Sequence, residues 1–242
     1  MGLDEALMAR AAATGEWVFR VYGWSRPTLS LGRNQRAAGL YDAEAMEAAG
    51  VDVVRRPTGG RGLLHDAEVT YSVTGPVAGA GSLREVYDRI NRVLVHALRS
   101  IGVEASIAGA REGAGSLPPG SAPCFDLPAP GELVAGGQKL AGSAQWREGP
   151  ALLQHGSILV EGDQRLVAEL LRVPVPAPPA PATLRAILGR APALGTVADA
   201  LFDAVRALED RDATPLGDVE TLLHSAETFC ARHRDSAWIW RR

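Results

Sequence analysis

The chain has 242 residues, 46% of them hydrophobic and 22% charged, with a net charge of −3 and an isoelectric point near 6.0. That length allows one large core or a core with an appendage, and the acidic balance argues against the basic face of a nucleic-acid binder. No apolar run approaches the roughly 20 residues that span a bilayer, and two distant cysteines without paired Cys/His clusters exclude a disulfide framework and a metal site.

The opening MGLDEALMARAAATGEW carries acids early and lacks a basic flank with a cleavage site, so it is not a secretory signal and a cytoplasmic location is expected. Residues 3–13, rich in Ala, Leu and Met, predict a helix. Trp17–Tyr22 and Leu29–Gly32 read as strands and Tyr41–Ala49 as a short helix stopped by Gly50. Val51–Val54 is a strand that runs into RRPTGGRGLLHD (Arg55–Asp66). There Gly59 and Gly60 let backbone N–H groups approach a ligand with no Cβ in the way. Arg55, Arg56 and Arg61 surround them; Arg56 is expected to contact the ligand or fix the loop, and Arg55 to be a solvated neighbour. A plain hairpin turn competes with that reading.

Glu68–Val73 alternates and is β-branched, hence a strand. Ser82–Ile101 follows the i, i+3, i+4, i+7 pattern of an amphipathic helix that Gly102 ends. Residues 109–123, rich in Gly, Pro and Ser, are expected to form a surface loop that delivers Cys124. Lys139 is the one lysine among 25 basic residues, so it is not expected to be surface filler. A turn is expected at Gly142-Ser143, and Gln154-His155-Gly156-Ser157 opens an apolar run. After Asp163 come a proline-rich connection and helices near 183–188, 196–208 and 218–232. Cys230, on the last, reads as a packed thiol.

RRPTGGRGLLHD, GGQKLAGSAQW and LQHGSIL, in this order and joined by LDEAL and LSLGRNQ, resemble the lipoate–protein ligase, biotin–protein ligase and octanoyltransferase superfamily. The resemblance runs from about residue 3 to 160. It implies an α+β fold, with a mixed/antiparallel β-sheet core, flanking helices and a C-terminal helical segment. Residues 1–162 are then the catalytic domain, and residues 163–242 a connection and helices packed on it. Cys124-Phe125-Asp126 upstream of Lys139, and Arg61 in place of a third glycine, are similar to the cysteine-dependent, ligase-like octanoyltransferase branch.

That branch implies an acyltransferase that moves octanoate from octanoyl-acyl carrier protein, through a Cys124 thioester, to a lysine of a lipoyl domain or of the glycine-cleavage H protein, with no cofactor. Lys139 would favour the thiolate and polarise the carbonyl. The implied substrate-binding set is Arg56, Gly59, Gly60, Arg61, His65, Gly142, Ser143, His155 and Gly156, with backbone N–H groups near Gly59-Gly60 or Gly142-Ser143 holding the oxyanion. Neither nucleic acid nor membrane is an expected partner. The alternatives are an ATP-dependent lipoate ligase with Cys124 incidental, an amidotransferase drawing octanoate from the H protein, and an idle acyl- or carrier-binding module.

Overall fold

The computed structural model describes residues 1–109, 131–162, 164–173, 175–176 and 179–241. In chain order the elements are α1 (Gly2–Thr14), β1 (Val18–Tyr22), β2 (Thr28–Leu31), α2 (Ala43–Ala48), β3 (Asp52–Arg55), β4 (Leu63–His65), β5 (Glu68–Pro76), α3 (Leu83–Ser100) and β6 (Ala105–Ile107). Then come β7 (Leu133–Ala135), β8 (Gln138–Glu148), β9 (Ala151–Leu159), α4 (Leu166–Glu169), α5 (Leu184–Leu188), α6 (Leu194–Leu208), α7 (Val219–Arg234) and α8 (Ser236–Ile239). The α+β class expected from the sequence is what this order builds.

Two sheets organise the molecule. One is antiparallel throughout, in the order β1-β5-β9-β8-β7-β6; the other is β3-β2-β4, with β2 parallel to β3 and antiparallel to β4. Strand β2 therefore lies between β3 and β4. The glycine-rich segment that links those two is a crossover, not the hairpin turn that competed with it.

The central strands β5 and β9 are buried on both faces, so their two alternating sets of side chains meet different surroundings. Val69, Tyr71 and Val73 of β5 and Ile158 of β9 join one apolar core with Val86, Ile90, Leu94 and Leu98 of α3 and with Ala200, Leu201 and Ala204 of α6. Helix α3 is started by a reciprocal cap: the Ser82 hydroxyl accepts from Glu85 N, and Glu85 Oε2 accepts from Ser82 N at 2.6 Å. The opposite set is polar. Strand pairing lines up Arg20, Ser72 and His155 across β1, β5 and β9, and Tyr22, Thr70 and Ser157 in the next row.

Helix α1 covers this polar face. Its acids, which read as first-turn helix formers, are inside instead: Asp4 is fully buried and Glu5 nearly so. Asp4 pairs with Arg20 at 2.7 Å, while Glu5 pairs with Arg232 and lies 3.0 Å from His233 Nε2, which ties α1 to α7.

Arg55 corrects a second expectation. It is fully buried, and its guanidinium donates to backbone carbonyls at both ends of the fold. Those of Gly32 and Gln35 follow β2; those of Trp238 and Ile239 belong to α8. In return Arg55 O accepts from Trp238 Nε1 at 3.2 Å and lies 3.0 Å from His233 Nδ1. Desolvation, reinforced by neighbouring Arg241, lowers the Arg55 pKa to about 10. No helix among the described residues is long and apolar enough to cross a membrane.

Candidate active site

The segment after β3 is built as a seat for a backbone loop. Arg56, next to Arg55 on an extended chain, points to the other side. Its guanidinium donates to Ser30 O at 2.8 Å, to Gly59 O at 2.8 and 3.1 Å, and to Arg61 O at 2.8 Å. The loop crosses β2 so closely that a Cβ on Gly32 would come within 1.9 Å of Gly60 O. Gly60 itself has φ +97°, a conformation that L side chains rarely adopt. Thr58 is buried under this turn, and its carbonyl accepts from Arg33 N at 2.7 Å. Gly59 and Gly60 are left on the outside, with open space where a Gly59 side chain would stand.

Lys139 reaches the polar face of the large sheet through an irregularity. Strand β7 aligns Leu133 with Ala141 but Val134 with Lys139, so β8 carries one residue more than its partner, Leu140. Leu140 and Ala141 consequently both enter the apolar core, and Lys139 emerges on the opposite side, as Gly142 does. There it is buried and pairs with Glu132 at 2.6 Å. Pairing across β8 and β9 sets Gly142 beside Ser157 and Ala144 beside His155. Lys139, Gly142, His155 and Ser157 thus share one face.

Two polar groupings occupy that face. In the first, His155 Nε2 lies 2.6 Å from the Thr58 hydroxyl, and Nδ1 lies 3.8 Å from Asp4 Oδ2, beyond a direct hydrogen bond. Burial pushes the His155 pKa down, and Asp4 only partly opposes this, so the ring is neutral near pH 7. Burial works against ionisation of Asp4, but the N-terminal ammonium, His155 and Arg20 outweigh it and hold the carboxyl well below the usual range. In the second grouping Glu68 Oε1 accepts from His65 Nδ1 at 2.7 Å, from Ser157 at 2.7 Å and from Thr70 at 2.5 Å. Trp24 stacks on His65 at 4.2 Å between ring centroids and donates its Nε1 proton to Thr70. His65 Nε2, Glu68 Oε2, Asp4 Oδ2, the Tyr22 hydroxyl and Ser72 Oγ are buried on or beside this face without a hydrogen-bond partner among the described residues.

The structure therefore places Lys139, Gly142 and His155 on one sheet face, with Arg56 and the Gly59–Arg61 loop tied to that face through Thr58 and His65 joined through Ser157. It does not bring Ser143 and Gly156 with them. Their strand positions face α3, where Ser143 Oγ lies 2.6 Å from the Tyr71 hydroxyl. A Cβ on Gly156 would come within 2.5 Å of Gly142 O and 2.7 Å of the Tyr71 ring, so this glycine lets two strands and a tyrosine close up. Nor is Gly142-Ser143 a turn: both lie inside the eleven-residue β8. Cys124 lies outside the described residues. Asp4, Glu68 and Thr58 were missed from the sequence, although the alternation Glu68, Thr70, Ser72, Thr74 already marks a polar strand face.

Comparison with known proteins agrees with this architecture. The family description "Lipoyl protein ligase A/B catalytic domain" matches residues 1–206. The chain is 47% identical over 181 residues to octanoyltransferase LipM of Kyrpidia tusciae, a match covering 72% of this chain and 66% of that protein. It is 43% identical to the protein of the same name from Carboxydothermus hydrogenoformans, covering 72% and 63%. The chain thus spans just under two thirds of the length of these relatives. With the Moorella thermoacetica protein of that name, identity is 35% and coverage is 100% and 93%. Among solved structures, a putative lipoate protein ligase from T. acidophilum with bound lipoic acid superposes with a TM-score of 0.75 at 22% identity, over 99% of this chain and 92% of that one. A lipoate-protein ligase A bound with ATP gives 0.77 at 21%, over 99% and 92%. At such identities the likeness shows the fold alone.

Proposed function

From the premise that the chain belongs to the lipoyl protein ligase A/B catalytic-domain family, we propose that it is an octanoyltransferase of protein lipoylation, acting without ATP or a cofactor. The donor is octanoyl-acyl carrier protein, and the acceptor is a lysine of a lipoyl domain or of the glycine-cleavage H protein. The reaction runs in the cytoplasm. Residues 1–162 handle the acyl group, and the helices of 163–242 brace them.

The observation that carries this reading is Lys139. The sole lysine of the chain is buried, ion-paired to Glu132, and turned by a bulge onto the sheet face to which the glycine loop is bonded through Thr58. A buried lysine costs stability unless it is paired, and strand irregularities that re-aim a side chain are over-represented beside active sites. The identity with proteins named octanoyltransferase, and the Cys124-Phe125-Asp126 motif upstream, support a thioester route over adenylation.

The Cys124 thiolate attacks the thioester carbonyl of the donor, the carrier leaves as its thiolate, and an S-octanoyl cysteine forms. The neutral amine of the acceptor lysine then attacks that carbonyl, loses a proton to solvent, and expels the Cys124 thiolate to leave an amide. The Lys139 ammonium polarises the carbonyl, and the N–H groups of the Gly59-Gly60 turn receive the developing oxyanion. Arg56 holds that turn rigid, so little reorganisation remains for the chemical step.

Intact-protein mass after mixing with octanoyl-acyl carrier protein, without ATP, tests the reading. An octanoyl gain that hydroxylamine removes, and that Cys124→Ser lacks, is the expected result. Carrier modification from free octanoate only when ATP and magnesium are present would make the chain a ligase and overturn the thioester route.

A further inference from the structure

The glycine loop is anchored to different parts of the molecule. Arg56, the close crossing at Gly32 and the Arg33 amide bonded to Thr58 O hold the loop to its own three-stranded sheet. A further anchor is the Thr58 hydroxyl, 2.6 Å from His155 Nε2, and His155 belongs to β9 of the other sheet. Behind the ring stands Asp4 of α1, itself bonded to Arg20 of β1. Thr58 and Asp4 are 0% exposed and His155 is 5% exposed.

Stability alone does not call for this arrangement. Buried ionisable groups are commonly replaced by apolar residues of similar volume at no cost, whereas a hydrogen bond fixes direction as well as distance. The polar link specifies how the loop stands over the large sheet.

We propose that His155 is a positioning residue for acyl transfer: with Asp4 behind its ring and the Thr58 hydroxyl in front, it sets the glycine loop over the sheet face that carries Lys139. The proposal rests on the acyl-transfer reading above. The Nδ1 proton turns toward Asp4, which leaves Nε2 to accept from the Thr58 hydroxyl. Charged groups around the ring come from three elements: Asp4 and the N-terminal ammonium with α1, Arg20 on β1, and Arg56 at the end of β3. Protonation of the ring would make Nε2 a donor and end its role as acceptor.

Four variants test the proposal: His155→Leu, His155→Gln, Thr58→Val and the double His155→Leu/Thr58→Val. Two quantities are read for each, the rate constant of octanoyl transfer and the hydrogen exchange of the Arg33 amide. That amide donates to Thr58 O and so reports the seating of the loop. His155→Leu is expected to slow transfer by about tenfold to a hundredfold, the size of effect a misplaced site produces, and to speed Arg33 exchange about as much. Amides of α3 should be unchanged. His155→Gln, whose amide oxygen also accepts from a hydroxyl, should recover most of the loss, and the double variant should be no slower than the slower single one.

Losses that multiply in the double variant, or Arg33 protection equal to wild type in His155→Leu, would overturn the proposal. If His155→Leu does not fold, Thr58→Val carries the same two readouts. Should the wild-type protein transfer no octanoate, the acyl-transfer reading fails by itself; faster Arg33 exchange would still support the link, and unchanged exchange would refute it.

Discussion

The two faces of the six-stranded sheet are both covered by helices and are held by opposite means. Toward α3 and α6, Val69, Tyr71, Val73, Leu140, Ala141 and Ile158 interlock with leucines and valines, the kind of contact that holds any sheet to a helix. Under α1 the same strands present Arg20, Tyr22, Thr70, Ser72, His155 and Ser157, held by hydrogen bonds and by pairs to Asp4 and Glu68. Several polar atoms on that side have no partner among the described residues. The apolar face accounts for stability, and the polar face, with Lys139 and the glycine loop against it, is where the proposed chemistry is placed. A buried face that spends stability on unpaired polar atoms is where function is to be sought.

If this division is right, damage to the two faces has opposite signatures. The largest effect is expected from Lys139→Met on the polar face. Loss of a charge aimed at the reacting carbonyl should lower transfer by about 10²–10³-fold. Because Glu132 is left with a weakened environment, stability should fall too, by up to about 3 kcal/mol. Adding Glu132→Gln should restore much of the stability and none of the activity. Urea melts beside single-turnover rates check this; recovery of both would mean that the ion pair is structural only.

Next in size is Leu94→Ala on the apolar face, at a side chain with no exposure. The cavity should cost about 2–5 kcal/mol. Transfer per folded molecule should stay within about twofold of wild type, measured at a temperature where the variant is folded. A larger loss of rate would show that the faces are coupled through the sheet.

How far the sequence foretold this contrast depends on how local the signal was. Helix α3 follows from its apolar spacing, Glu68–Val73 from alternation and Trp17–Tyr22 from its β-forming residues. Lys139 and the glycine loop were legible as motifs. The three residues of β4 were too few to carry a period, and nothing local says that β2 separates β3 from β4. Arg55 and Arg56 look alike in sequence, yet adjacency on an extended chain sends one to the C-terminal carbonyls and the other to the glycine loop. The acids of α1 looked like ordinary helix starters because their partners Arg20, Arg232 and His233 are distant in sequence.

Acid should weaken the polar face selectively. The His155 pKa lies below its unfolded value of 6.5, so its contribution is present above that pH and is lost as pH falls. The Asp4 pKa is likewise depressed from 3.8, so its contribution is present above that value and lost on further acidification. Stability should therefore decline from about pH 6.5 downward. His155→Gln should make the first part of the decline shallower, the remainder coming from His233, whose pKa burial lowers to about 4, whereas Leu94→Ala should shift the whole curve without changing its shape. Chemical denaturation at a series of pH values reads both, and a curve for His155→Gln parallel to that of wild type would contradict the assignment.

The smallest change makes the sharpest distinction. Ser72 sits in the row with Arg20 and His155, is 1% exposed, and has a hydroxyl without a partner among the described residues. On an apolar face such a hydroxyl would only cost free energy, and its removal would be a plain gain. Ser72→Ala removes one buried oxygen and opens little space, so stability should be unchanged or rise by up to about 1 kcal/mol. If the polar face is kept for chemistry, transfer should fall several-fold in the same variant, which gives a protein that is no less stable and is slower. A loss of stability with the rate intact would instead make Ser72 part of the scaffold, and the polar face would then be another way of holding the sheet together.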